Sequence, residues 1–251
     1  MPERDLLAGR TALVTGASSG LGAHFAHVLA RHGASVIATA RRVDALRAVV
    51  AGIESAGGRA RALALDVRDP ASIAAAFATT GPVDILVNNA GVAHTRPALE
   101  VAEDQWQAVL DTNLSGAFRV AVAAARALAA AQREGVIVNV ASVLGLRVAR
   151  QVAAYIAAKA ALLRLTEALA LEWASKGIRV NALAPGYIET DLNRDFLRSP
   201  AGEAMRSRVP QRRFGVPEDL DGALLLLVGP GGRYMTGSTV VVDGGHSLAG
   251  L

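Results

Sequence analysis

Tyr155 and Lys159 stand four residues apart in the run Tyr155-Ile156-Ala157-Ala158-Lys159. On a helix that spacing puts both on one face, with Cβ atoms roughly 5–6 Å apart. A phenol titrates near 10, and a neighbouring ammonium favours its ionised form. Bringing it to about 7 takes roughly 4 kcal/mol of differential stabilisation, which requires several such effects in a water-poor site. The pair suits a reaction that moves a proton on or off an oxygen. Ser142 lies 13 positions before Tyr155, at the expected end of a strand. A hydroxyl there can hold a substrate oxygen and stabilise charge developing on it. Asn113, within Asp111-Thr112-Asn113-Leu114-Ser115-Gly116, reads on its own equally well as a helix cap.

A second constellation precedes these. The run Thr15-Gly16-Ala17-Ser18-Ser19-Gly20-Leu21-Gly22 follows an apolar segment and opens a helical pattern. Glycines let a backbone approach a pyrophosphate, and the helix N-terminus behind them presents free N–H groups and a positive dipole end. The spacing is not G-x-G-x-x-G. NAD sites place an acid about 20 residues beyond the glycines, on the ribose hydroxyls. Here the second apolar run ends in Ala40-Arg41-Arg42. A carboxylate would repel a 2′-phosphate, whereas a guanidinium pairs with it, so NADP(H) is favoured over NAD(H). Asp44, close by, suits the first turn of a helix.

Such groups need rigid elements to hold them. Short runs rich in Val, Ile and Leu alternate with alanine-rich stretches of helical length. The expected strands are 11–15, 35–40, 61–66, 85–88, 136–141, 179–184 and 239–242. The expected helices are 23–32, 43–55, 72–78, 113–134, 152–175 and 218–228, with Gly33, Gly57, Gly58 and Gly177 at helix ends. Strands buried on both faces and separated by helices pair in parallel with right-handed crossovers. The pattern predicts one α/β domain over 1–251, a Rossmann-like doubly wound sheet of about seven parallel strands with helices on both faces. The stretch 186–216 is long and rich in charge, which marks a substrate loop or lid, or else short helices.

The order Gly-x-x-x-Gly-x-Gly, Asp66-Val67, Asn88-Asn89-Ala90-Gly91, Tyr155-x-x-x-Lys159 and Pro185-Gly186, in register along nearly the whole chain, resembles the short-chain dehydrogenase/reductase family. The resemblance implies an oxidoreductase that interconverts a secondary alcohol and a ketone, with Tyr155 as general acid in reduction and base in oxidation. In keeping with it, the loop of Gly16, Ser18, Ser19, Gly20, Leu21 and Gly22 would hold the cofactor's phosphates, and the charge argument gives Arg41 and Arg42 to its 2′-phosphate. Asp66 and Val67 would contact the adenine, and Asn89, Ala90 and Gly91 would line the cofactor. Pro185, Gly186, Ile188 and Thr190 would flank the nicotinamide, while Lys159 bonds its ribose beside Tyr155. Asn113, Ser142, Tyr155 and Lys159 form the implied catalytic set, Asn113 holding a water that links Lys159 to solvent. Asn88 reads independently as a brace between strands. By position, His94, Leu144, Gln151 and Tyr187 border the substrate with Ser142 and Tyr155. The family also implies a homotetramer built on the two long alanine-rich helices.

Two alternatives carry different consequences. A 3-oxoacyl thioester on acyl carrier protein or coenzyme A could be met by Arg194, Arg198, Arg206, Arg208, Arg212 and Arg213 around the lid. Asp191, Asp195 and Glu203 among them read equally as an ordinary mixed surface. A non-catalytic NADP-binding protein would have lost part of the catalytic set, and all four residues are present.

Composition narrows the classes. Of 251 residues, 52% are hydrophobic and 4% aromatic, and the net charge is +4, with Lys159 and Lys176 the only lysines. Scattered arginines without aromatic platforms do not suit a nucleic-acid surface. Zero cysteines removes disulfides and thiolate chemistry and fits a reducing, cytoplasmic setting. Apolar runs such as 223–228 fall short of the roughly 20 residues that span a bilayer, and 1–10, with Glu3, Arg4 and Asp5, lacks the form of a secretory signal. His24, His27 and His32 lack further ligands on their helix, so no metal site is expected. Trp106 and Trp173 suit helix packing, and no G-x-S-x-G elbow surrounds Ser18 or Ser19.

Overall fold

Short apolar runs, and one segment that alternates arginine with alanine, become seven strands in the computed structural model, which describes residues 6–190 and 193–248. They are β1 (Thr11–Thr15), β2 (Ser35–Ala40), β3 (Arg59–Ala64), β4 (Ile85–Asn88), β5 (Gly135–Val140), β6 (Ile178–Pro185) and β7 (Thr239–Val242). All pair in parallel, in the order β3-β2-β1-β4-β5-β6-β7. Asp191 and Leu192, and the readings placed on Glu3, Arg4 and Asp5, lie outside the described residues.

Helices cover both faces. On one lie α1 (Gly20–Arg31), α2 (Arg47–Ser55) and α9 (Asp221–Val228); on the other lie α3 (Pro70–Thr80), α5 (Ala117–Ala130) and α6 (Ala153–Trp173). Successive strand residues alternate between the two cores, as a pleat requires. Val14, Val36 and Val138 pack with Phe25, Leu29 and Leu224, while Leu13, Ile37 and Ile137 pack with Val120, Leu128 and Leu169. With both faces apolar, the interior strands show no polar alternation, whereas β3 at the edge alternates exposed Arg59 and Arg61 with Ala60 and Ala62. His24 of α1 reaches Asp221 of α9 at 2.6 Å, so the carboxylate missing from its own helix comes from a distant one.

Three elements depart from expectation. β3 sits at Arg59–Ala64 rather than 61–66, because its ladder starts on the exposed Arg59, outside any apolar run, and Leu65 continues the run past the ladder. A polar helix, α4 (Glu103–Leu110), buries only Val109, too little to show as periodicity. The helix expected from 113 starts at Ala117, after a widened π-type turn over Asp111–Gly116. Within 186–216 the short-helix alternative holds, as α7 (Arg194–Leu197) and α8 (Pro200–Arg206), the latter capped by Ser199 with Pro200 in its first turn. No helix among the described residues is long and apolar enough to cross a membrane.

Candidate active site

Strand order reverses between β1 and β4, and a crevice opens there at the carboxyl ends of the strands. A cleft of about 730 Å³ runs along this edge, from the ends of β2 and β3 to those of β5 and β6.

The glycine loop forms its floor. Gly16 has φ +66°, and a Cβ there would lie 2.9 Å from the Ala90 Cα. A Cβ on Gly22 would lie 2.2 Å from the Gly16 carbonyl oxygen and 2.5 Å from Asn89 Nδ2. The loop is therefore locked onto Asn89-Ala90. Thr15 Oγ1 accepts from both of their N–H groups at 3.0 Å, and Asn89 Nδ2 donates to the carbonyls of Thr15 and Gly16 at 3.0 and 3.3 Å. Gly16, Ser18, Ser19, Gly20 and Leu21 line the cleft, with Asn89, Ala90 and Gly91 opposite. Gly22 is not in the lining; its close approach serves helix–strand packing. No side chain caps the N-terminus of α1, which leaves its first N–H groups for an anion. Asn88 braces the sheet as read, donating to Asn139 Oδ1 and to the Ala117 carbonyl, both at 3.0 Å.

Ser142 follows β5 directly, and its Oγ accepts from the Leu144 N–H at 3.1 Å. Tyr155 and Lys159 occupy one face of α6 and reach the same cleft. The Tyr155 hydroxyl is hydrogen-bonded to Ser142. Lys159 Nζ lies 5.6 Å from the Tyr155 ring centroid and donates to the Val140 carbonyl at 2.7 Å. Burial pushes this ammonium down to about 8. Burial also pushes Tyr155 up; the Ser142 bond opposes this, and the Tyr187 phenol adds to it. The direction is the reverse of what the neighbouring lysine alone suggests, since desolvation outweighs an ammonium turned towards a backbone carbonyl.

Asn113, 1% exposed in the π-type turn, does not line the cleft. Its Oδ1 accepts from the Val92 N–H and its Nδ2 donates to the Val92 carbonyl, both at 2.8 Å. Both polar ends of the amide thus fix the segment after Gly91.

At the β2–β3 end, Arg41, Arg42 and Arg68 line the cleft with Asp66 and Val67. Arg68 donates through Nε and Nη2 to Asp66 at 3.2 and 3.0 Å, which holds this carboxyl below its ordinary range. Asp44 is outside the cleft, in a short turn, paired with Arg47 at 2.8 Å. Three guanidinium groups against one carboxylate, beside an uncapped helix N-terminus, fit a dinucleotide carrying a 2′-phosphate. Arg68 was not anticipated, because nothing in its spacing says that it folds back onto Asp66.

At the β5–β6 end, Pro185, Gly186, Ile188, Thr190, Leu144 and Tyr187 line the cleft at their expected places. His94 and Gln151 are exposed and stand outside the lining. Gln151, at φ +68°, accepts from the Arg96 N–H at 2.8 Å and so ties two rim loops. The walls also include Val152 and, from α7, Phe196 and Leu197, which carried no sequence signal because their helix is four residues long. The Tyr187 ring packs between Phe214 and His246, with centroids 6.2 and 5.3 Å away.

The arginines around 186–216 are largely engaged by their own chain. Arg194 and Arg198 pair with Glu189 at 3.2 and 3.3 Å, and Arg206 with Glu203 at 2.5 Å. Arg213 grips Asp219 with both terminal nitrogens at 2.6 and 2.8 Å, holding that carboxyl at about 2. Arg212 bonds the Ser207 carbonyl.

Comparison with known proteins agrees with this geometry. Residues 16–247 match a family model described as enoyl-(acyl carrier protein) reductase. The 3-oxoacyl-[acyl-carrier-protein] reductase FabG of Vibrio cholerae is 39% identical over 243 residues, which cover 95% of this chain and 98% of that protein. A candidate short-chain alcohol dehydrogenase of Sinorhizobium meliloti 1021 superposes with TM-score 0.92 at 43% identity, over 99% of this chain and 100% of the other. A candidate 2-deoxy-D-gluconate 3-dehydrogenase of Agrobacterium tumefaciens, solved with bound NADP, has TM-score 0.91 at 42% identity, over 97% and 98%. Their names agree on oxidoreduction and differ in substrate.

Proposed function

The chain belongs to the short-chain dehydrogenase/reductase family and is an oxidoreductase, and from that premise we propose that it interconverts a secondary alcohol and a ketone using NADP(H) in preference to NAD(H). The observation that carries this reading is the Ser142–Tyr155 hydrogen bond beside Lys159, facing the cleft at the carboxyl edge of the sheet. When bound, the cofactor supplies hydride in reduction and accepts it in oxidation. The loop from Gly16 to Leu21 would hold its pyrophosphate, Arg41 and Arg42 its 2′-phosphate, and Lys159 its nicotinamide ribose. Ser142 orients the substrate oxygen. Tyr155 gives that oxygen a proton in reduction and removes it in oxidation, and the nearby Lys159 charge favours the phenolate left behind. Asn113 holds Val92, and with it part of the cleft wall.

Following NADPH and NADH absorbance over a panel of ketones tests the reaction. Turnover with NADPH supports it; no change with any ketone or alcohol, despite cofactor binding, favours the non-catalytic alternative. The double variant Arg41→Ala, Arg42→Ala is expected to weaken NADPH binding about 30-fold, the scale of losing charge-assisted hydrogen bonds, while NADH changes less than about threefold. Cofactor fluorescence titration reads both.

The thioester alternative is favoured by the likeness to the FabG reductase. Against a docked acidic carrier stand the arginines of 194–213, five of which are engaged with Glu189, Glu203, Ser207 and Asp219. Reduction of an acetoacetyl thioester in preference to free ketones would reverse this order.

Assembly follows from a further surface. An apolar groove of about 480 Å³, with Phe118, Val122, Leu165, Leu169 and Trp173, lies between α5 and α6. We infer that a second copy covers it in a homotetramer. Ala168→Arg, exposed in the groove and so compatible with the fold, is expected to lower the native mass below four chains by light scattering.

A further inference from the structure

Charge is unevenly distributed along the cleft. Its ionisable side chains at the β2–β3 end are Arg41, Arg42, Asp66 and Arg68. On the β4–β5–β6 side, the only charged residue lining it among the described residues is Lys159. That lysine is 4% exposed and gives a hydrogen bond to the Val140 carbonyl, so its charge is turned into the protein. The remaining walls of the reacting half include the apolar Val92, Ala93, Leu144, Val152, Phe196 and Leu197, with the uncharged Thr95 and Thr190.

The polar groups in that half are neutral and few. Ser142 and Tyr155 are bonded to each other and serve the reacting oxygen. Asn193 spends its amide on Thr190 and on the Ile188 carbonyl, at 2.8 and 2.9 Å. Tyr187 is clamped between Phe214 and His246, and burial keeps its phenol protonated. Arg194 and Arg198, which flank the wall residues Phe196 and Leu197 in sequence, extend to Glu189. A substrate carboxylate or phosphate would lose water here without gaining a cation, whereas an apolar arm gains by burial.

We propose that the substrate is an uncharged, largely apolar ketone or its secondary alcohol, and that carboxylated and phosphorylated carbonyl compounds are rejected at the reacting half of the cleft. This rests on the oxidoreductase reaction proposed above and names its substrate class. Phe196 is half-exposed at the mouth, so a cation can be introduced there without disturbing the core.

The test uses the whole protein with NADPH and a matched pair, methyl levulinate and levulinate, beside cyclohexyl methyl ketone. The neutral ester is expected to exceed the acid about 100-fold in kcat/KM, and the cyclohexyl ketone to be reduced at least as well as the ester. Phe196→Arg should narrow the ester-to-acid ratio about tenfold. Levulinate reduced as well as its ester overturns the substrate class alone, as does an unchanged ratio in a Phe196→Arg protein of wild-type Tm. No NADPH oxidation with any of the three, while NADPH still raises the Tm, overturns the NADPH-dependent ketone reduction proposed above together with the substrate class.

Discussion

Purified Tyr155→Phe is expected to lose roughly 10²- to 10⁴-fold in kcat, the range of general acid–base catalysis, while keeping its fold and its NADPH affinity. The substitution removes one oxygen. The ring still packs against Val109, Ala154 and Ala158, and Ser142 still accepts from the Leu144 N–H. Stability should change by no more than about 1 kcal/mol, the net worth of one hydrogen bond. The pH dependence follows from the direction of the shift. Burial raises the Tyr155 pKa above 10, so the phenol keeps its proton through neutrality. Reduction, which consumes that proton, should be flat around neutral pH and fall in strong alkali. Oxidation needs the phenolate and should climb with pH. In Tyr155→Phe both dependences should vanish with the activity. A folded variant turning over at near the wild-type rate would remove Tyr155 from the mechanism.

The legibility of these residues was uneven, for physical reasons. Strands buried on both faces write themselves as unbroken apolar runs, so the central Thr11–Thr15 and Ile85–Asn88 lie where expected; Thr239–Val242, at the sheet edge and only partly covered, is legible from its valines alone. β3 slipped because its arginines put polar side chains at the start of the ladder, where no apolar run marks it, while small apolar residues continue through Leu65 beyond its end. α4 and α7 stayed hidden because each buries a single side chain, Val109 and Leu197. Tyr155 and Lys159 were legible because their spacing is local and helical. Arg68 on Asp66, Asn113 on Val92 and Asp221 on His24 are side-chain choices among several partners, the last across 197 residues, and no periodicity encodes them. Gly22 shows the converse: its place in the motif was legible, but its reason is a contact with Gly16 and Asn89 that exists only once helix and strand meet. Tyr155 makes the same point energetically, because the lysine was visible in the sequence and the burial opposing it was not.

Lys159→Met is expected to be nearly inactive and yet more stable than the wild type at neutral pH. The activity loss, roughly 10²- to 10³-fold in kcat, follows from removing the positive charge next to the Tyr155 phenolate. The stability gain follows from where that charge sits. Lys159 is 4% exposed, its one hydrogen bond runs to the Val140 carbonyl, and no carboxylate pairs with it among the described residues. Burial lowers its pKa from 10.5 to about 8. At about 1.4 kcal/mol per unit, the folded state is destabilised by roughly 3 kcal/mol while the group is charged in both states. Methionine removes that penalty and fills similar space, and the stranded Val140 carbonyl returns about 1 kcal/mol of it. The net gain of about 2 kcal/mol corresponds to a Tm higher by roughly 4–8 °C for a chain of this size. The sign with pH is fixed. Below about 8 both states hold the proton and the full penalty stands; between about 8 and 10.5 the unfolded chain binds more protons, so wild-type stability rises relative to the variant. Melting both proteins without cofactor at about pH 7 and pH 10 should therefore show the gap closing in alkali. A gap that stays constant, or a variant less stable at neutral pH, would mean that the buried ammonium is balanced by its surroundings. A gap that closes would identify Lys159 as a group the fold carries at a cost for the sake of the reaction.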